Sequence, residues 1–175
     1  MIIFKTGSVL ATALFLVGCS SEAALQQTPS PIALTEEAAG YYCQMVILEH
    51  DGPKAQMYLD GMPNPLWFSQ VRDGLAYIKS PEQSAEILVM YVNDMGEAKS
   101  WSEPGEMNWI RADEAYFVVG SDATGGMGAP ELVPFSSKDK ADEFAKVRGG
   151  EVQLLNEISI EAVLAPVEYQ EGSDQ

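Results

Sequence analysis

The sequence is short of the residues that most catalytic and nucleic-acid-binding sites draw on. It has one histidine, two cysteines, and 10 Lys plus Arg against 26 Asp plus Glu, a formal net charge of −16. One histidine excludes a paired-histidine zinc motif, and Cys19 and Cys43 are too far apart for a Cys-x-x-Cys redox couple. No Gly-rich phosphate loop or nucleophile-elbow serine is present. The shortage of basic residues argues against nucleic acid, whose affinity comes largely from Lys and Arg on phosphates. No apolar run is long enough to span a bilayer.

The apolar run that does exist gives an address. Lys5 precedes Val9-Leu10-Ala11-Thr12-Ala13-Leu14-Phe15-Leu16-Val17, with the flanks of a signal peptide. It ends in Leu16-Val17-Gly18-Cys19-Ser20, which matches the bacterial lipoprotein signal: small residues before a cysteine that is lipidated after cleavage. The expectation is a signal peptide over 1–18 and a lipid on Cys19, with the protein anchored to a membrane and facing the periplasm. Ser20 after the cysteine, rather than Asp, favours the outer membrane. Residues 19–39 have the composition of a flexible tether, 40–165 form one domain, and 166–175 are a disordered acidic tail. Loss of Lys5 leaves the mature chain still more acidic, which favours solubility and steers it toward a basic partner.

With Cys19 lipidated, Cys43 is the one thiol left in an oxidising compartment. Such a cysteine is buried, bridged to another molecule, or ligating a metal. It lies in Tyr41-Tyr42-Cys43-Gln44-Met45-Val46-Ile47-Leu48-Glu49-His50, an unbroken β-favouring stretch that predicts a strand. On a strand Cys43 and Met45 share a face. A thiolate beside a thioether is half of a soft-metal site, of the kind that selects Cu(I). The competing reading is a buried cysteine acting as a small hydrophobe.

The rest of the domain reads as one pattern stated twice. The first pass runs from the strand over 41–50 through a second strand over 55–59 and the loop 61–65. Phe68-Ser69 then leads a helix to Lys79 capped by Ser69, followed by an apolar strand over 85–92. The second has a strand over 115–121, Phe135-Ser136, a helix to Arg148 stopped by Gly149-Gly150, and a closing strand over 151–155. Each pass is β-β-α-β, joined by a polar linker over 97–105, and a short helix is expected over 158–164. The fold class is α+β, with two such units packed as one compact domain.

The second pass also carries Gly125-Gly126-Met127-Gly128. A methionine among three glycines has little to pack against, and a mobile exposed thioether is a plausible incoming ligand for a soft metal. Neighbouring first strands of the two units are expected to bring Met127 toward Cys43. His50 suits copper too, but it is an odd step from Cys43 on a strand and stays a secondary candidate. Met57, Met62, Met90, Met95 and Met107 are read as core or loop residues.

Together, the signal ending at Cys19, Cys43-Gln44-Met45, Gly125-Gly126-Met127-Gly128, the Phe135…Ala141…Phe144 segment and Gly149-Gly150 resemble the NosL family over nearly the whole mature domain. That family comprises lipoprotein copper chaperones of nitrous oxide reductase. The resemblance implies two β-β-α-β units similar to part of the organomercurial lyase. It implies Cu(I) held by Cys43, Met45 and Met127, with no catalysis. It also implies delivery toward the copper–sulfide centre of nitrous oxide reductase, with an ABC-type membrane complex as docking platform. The protein is expected to act as a monomer. Two alternatives stay open: a thiol-dependent enzyme with Cys43 as nucleophile and His50 as base, and a lipid-tethered interaction protein without a metal.

Overall fold

The structure, a computed structural model, describes residues 28–166 apart from 82 and 84. The signal segment, Cys19, the first part of the expected tether and residues 167–175 lie outside the described residues. Among those described, no helix is long and apolar enough to cross a membrane.

The first unit is β1 (Ala55–Leu59), β2 (Leu66–Phe68), α1 (Val71–Lys79) and β3 (Ile87–Asn93), extended by β4 (Trp109–Arg111). Its antiparallel sheet has the order β2-β1-β3-β4. The second unit is β5 (Tyr116–Val119), β6 (Val133–Phe135), α2 (Lys138–Arg148) and β7 (Glu151–Leu154), followed by α3 (Ile160–Val163). Its sheet has the order β6-β5-β7, the order of the first without its fourth strand. The register repeats as well. Phe68 pairs with Ala55, and Phe135 pairs with Tyr116, each at the end of its hairpin. The α+β class and the doubled β-β-α-β arrangement follow.

Strand alternation puts the two units around a shared interior. Ala55, Met57 and Leu59 face α1, whose Val71, Leu75 and Tyr77 complete the larger core together with Phe117, Leu132 and Val163 of the second half. Val118, adjacent to Phe117, points the other way into a smaller core with Val133, Phe135 and Ala141. The second sheet therefore lies between α2 and the first unit.

Several expectations are corrected. Residues 41–50 are not a strand: Tyr41–Cys43 turn, and Ile47–Glu49 form one turn of 3-10 helix. The turn closes through Gln44 N donating to Gly40 O (2.8 Å) and Gly40 N donating to Met45 O (2.9 Å). The Gln44 side chain donates to Tyr41 O (2.7 Å), and its backbone sits at φ 56°. These local bonds satisfy the backbone without a ladder, so β propensity has nothing to act on. The first strand of the first unit is accordingly β1, and β4 was not expected. Ser69 does not cap α1: Gln70 is the N-cap, with no side-chain capping bond, and the carboxylate of Glu131 takes the helix amides instead. The first strands of the units belong to separate sheets, so they are not hydrogen-bonded neighbours. Residues 28–39, expected within a tether, lie against the domain. Leu34 and Ala38 are buried, Ile32 exchanges two bonds with the Gln56 amide, and Tyr91 Oη donates to Pro29 O (2.8 Å).

Candidate metal centre

Of the residues singled out for soft-metal chemistry, the Cys43 thiol and the Met127 backbone are both tied to the point where β2 turns into α1. Cys43 is a free, half-buried thiol on the 41–43 turn. Gly40 is what lets that turn close: a Cβ there would stand 2.4 Å from Cys43 Sγ. Tyr41 N donates to Trp67 O (2.7 Å), which pins the turn to β2. Cys43 Sγ then lies 3.7 Å from the hydroxyl of Ser69, within reach of a sulfur hydrogen bond. Tyr41, next on the same turn, meets Tyr42, Phe68 and Tyr77 edge to face, and Phe68 lies tilted against Tyr42 and Tyr77, with centroids 5.1 to 6.1 Å apart. Burial raises the pKa of Tyr42, helped by Tyr41 and Asp73.

From the other unit the loop 125–128 reaches the same junction. Met127 N donates to Gln70 Oε1 (3.1 Å), one residue from Ser69. Gly126 fits closely under the chain: a Cβ there would stand 2.4 Å from His50 Cβ and 2.8 Å from Asp51 O. The Met127 side chain is 41 % exposed and that of Met45 is 40 % exposed. Both residues are open to solvent; Met127 is tied to the junction through its backbone, and Met45 through the Gly40 turn that carries Cys43.

His50 comes out better placed than its position in the sequence suggested. The strand parity that set it off the Cys43 face disappears with the strand. Its Nδ1 lies 3.2 Å from Gly126 O, and since a carbonyl only accepts, Nδ1 carries the proton. In the neutral ring that leaves the lone pair on Nε2. Nε2 is buried and has no hydrogen-bond partner among the described residues. A buried acceptor with no donor is costly, and a metal ion is one group that would satisfy it. Neutral imidazole with its second nitrogen bonded to a carbonyl is the usual form of a metal-ligating histidine.

Among the described residues there is no cluster of three His, Cys, Asp and Glu side chains that could hold a metal ion. A metal at this junction would thus have to use thioether sulfur alongside Cys43 or His50, a donor set that suits soft ions. Cys43 and His50 each bond to a different group, Ser69 and Gly126, rather than to one another.

Two residues near the centre were missed from the sequence. Gln70 is buried and holds the Met127 backbone, and Glu131 lies beneath it. The Glu131 carboxylate accepts from Arg72 N (2.9 Å), Leu132 N (2.9 Å) and Val71 N (3.2 Å). Burial pushes its pKa up to about 7, against the pull of those amides. Lys54, equally buried, donates to Gly52 O (2.6 Å) and Asp51 O (3.1 Å), and burial lowers its pKa to about 8. The one hint in the sequence was an acid set between Pro130 and the apolar Leu132-Val133.

The chain is similar to known copper-binding proteins. A model of the NosL family matches residues 31–163. The chain is 54% identical over 161 residues to the copper-binding lipoprotein NosL of Achromobacter cycloclastes, covering 91% of this chain and 82% of that one. It is 32% identical over 155 residues to the copper-binding lipoprotein NosL of Stutzerimonas stutzeri, covering 87% and 79%. Among solved structures, the copper chaperone NosL from Shewanella denitrificans matches with a TM-score of 0.70 and 31% identity, over 74% of this chain and 96% of that one.

Proposed function

The chain belongs to the NosL family, and from that premise we propose that it is a lipid-anchored Cu(I) chaperone. On this reading it works on the periplasmic side of the outer membrane, held by a lipid on Cys19. It carries copper toward the copper–sulfide centre of nitrous oxide reductase, with an ABC-type membrane complex as docking platform. The relatives are named as copper-binding and chaperone proteins, not enzymes. The observation that supports the reading is that Cys43 Sγ and the Met127 amide bond to consecutive residues of the β2–α1 junction, Ser69 and Gln70, while His50, with its unpartnered Nε2, bonds to the same loop at Gly126.

The arrangement suits transfer better than storage. Cys43 supplies the one anionic ligand, which anchors Cu(I), while the thioethers of Met45 and Met127 are neutral and exposed. An acceptor's ligand can enter beside an exposed thioether before the thiolate leaves, so copper passes without being freed. Direction then requires only that the acceptor bind more tightly than the donor. His50 is placed to join or replace a thioether.

The test is an anaerobic Cu(I) titration of the full chain against a chromophoric chelator, with Cys43→Ser and Met127→Ala alongside. One tight equivalent is expected, lost in Cys43→Ser and weakened about tenfold in Met127→Ala, which corresponds to about 1.4 kcal/mol. Equal and weak competition by all three proteins would sink the copper reading.

A further inference from the structure

The loop that carries Met127 is held from outside at two neighbouring points: Gly126 O lies 3.2 Å from His50 Nδ1, and the Met127 amide has a partner of its own. Within itself it has Gly125 N to Ala129 O and Gly128 N to Gly125 O, both 2.8 Å, the bonds of a tight turn. The amide of Met127 is bonded outside the loop, to Gln70 Oε1 at 3.1 Å. Gln70 is itself fixed: it is 3 % exposed, and its Nε2 donates to Asp73 Oδ2 (3.1 Å). A Cβ on Gly125 would stand 2.6 Å from Gln70 Oε1 and 2.7 Å from Glu131 Oε2, so the loop is pressed onto both groups. The preceding residue, Ser69, places its hydroxyl beside Cys43 Sγ. One dipeptide therefore touches both the thiol and the backbone of the thioether residue.

We propose that Gln70 is a positioning residue for copper: it holds the Met127 backbone against the β2–α1 junction and thereby sets where the thioether stands relative to Cys43. The proposal rests on the copper reading above. The reason lies in the side chain that is being placed. Methionine is unbranched and flexible, so its sulfur has a defined reach only if its backbone does not wander. Glycines on both sides of Met127 supply no restraint of their own. The Gln70 carbonyl is buried, and leaving it or the amide unbonded there is costly. Removing the acceptor leaves Gly126 held by His50 but takes away the one bond made by the Met127 amide, so the residue loosens while Cys43, Ser69 and His50 stay in place. Copper is then held by fewer ligands for more of the time, and it leaves faster.

The experiment compares wild type, Gln70→Leu, Met127→Ala and the double variant as full chains, with Gln70→Asn as a second variant. Asparagine keeps the amide but falls one methylene short of the loop. Two quantities are read: hydrogen exchange of the Met127 amide without metal, and the rate of Cu(I) transfer to a chelator. Gln70→Leu and Gln70→Asn are expected to speed both by about tenfold. In the Met127→Ala background Gln70→Leu should add nothing to the transfer rate, because Gln70 acts through Met127. A residue that only supported the fold would instead add its full effect in that background. Additive effects, or a Met127 amide whose exchange does not change in either Gln70 variant, would overturn the assignment while wild-type copper binding stands. Wild type that binds no better than Cys43→Ser would overturn the copper reading and the role of Gln70 with it.

Discussion

At the start of α1 the buried carboxylate of Glu131, from the second unit, takes the amides of Val71 and Arg72. Just before α2 the buried carboxylate of Asp94, from the first unit, takes the amide of Ser136 (3.2 Å) and its hydroxyl. Each unit thus lends an acid to the strand-to-helix junction of the other, Glu131 from the segment before β6 to the first amides of α1, and Asp94 from the end of β3 to an amide two residues before α2. What lies around the two junctions differs. The first is enclosed by Cys43, His50 and the Met127 loop, and its helix buries Val71, Leu75 and Tyr77. The second faces Gly96 and a half-exposed Lys140, and its helix buries only Ala141. The same device serves as framework in both copies. Only at the first junction does a loop of the other unit, the one with Met127, dock beside the lent acid, held there by Gln70, and a hydrogen bond shielded from water is costly to break.

The largest effects should come from deleting the lent acids. Glu131→Ala leaves three amides without an acceptor in the interior, and Asp94→Ala leaves the amides of Ser136 and Gly96. At roughly 1–3 kcal/mol for each buried group left unpaired, losses of about 3 kcal/mol or more are expected in urea unfolding for Glu131→Ala and about 2 kcal/mol for Asp94→Ala. Only Glu131→Ala should also speed copper transfer. Faster transfer from Asp94→Ala would break the comparison.

A second difference is in pH response. Because Glu131 is an acid whose folded pKa, about 7, lies above its ordinary 4.5, the folded state binds more protons across that window. Stability therefore falls as pH rises from about 4.5 to 7. The carboxyl of Asp73, raised mainly by burial against its bond to Gln70 and the Arg72 charge, acts with the same sign. Lys54, lowered to about 8 from 10.5, holds fewer protons when folded, so stability recovers between those values. The fall is on the order of 3 kcal/mol at most. Glu131→Gln, which resembles the protonated acid, should remove most of it and leave stability at pH 5 nearly unchanged. Unfolding of both proteins across pH 5 to 8 measures this, and parallel curves would count against it.

How much of this the sequence disclosed depends on how far each feature reaches along the chain. The strands β1 and β3, the helices and the Gly149 stop were legible because periodicity and local chemistry declare them. The turn at 41–43 was not: its run of β-favouring residues hides the role of Gly40 and the left-handed Gln44. β4, three residues long, is too short to show a period. The soft donors at Cys43, Met45 and Met127, candidates only, stand out by residue type and spacing, whereas Gln70 and Glu131 act across about sixty positions. His50 was ranked low by a parity argument that only a strand would have supported.

The smallest expected effect tests the quieter junction. Lys140 Nζ donates to Gly96 O (2.7 Å) and pairs with Glu97 (2.5 Å), with its side chain 41% exposed. Water competes for such a contact and salt screens it, so Lys140→Ala should lower the urea midpoint less than either acid deletion does. Part of even that loss would come from the lysine stem, which lies within 2.7 Å of where a Cβ on Gly96 would stand and covers that turn. Raising salt in the wild type isolates the charge contribution, since it weakens the ion pair and spares the packing. Copper transfer should be unchanged in the variant at any salt. A change there would mean that the two junctions are mechanically coupled through the shared interior, and that the second copy does more than hold up the first.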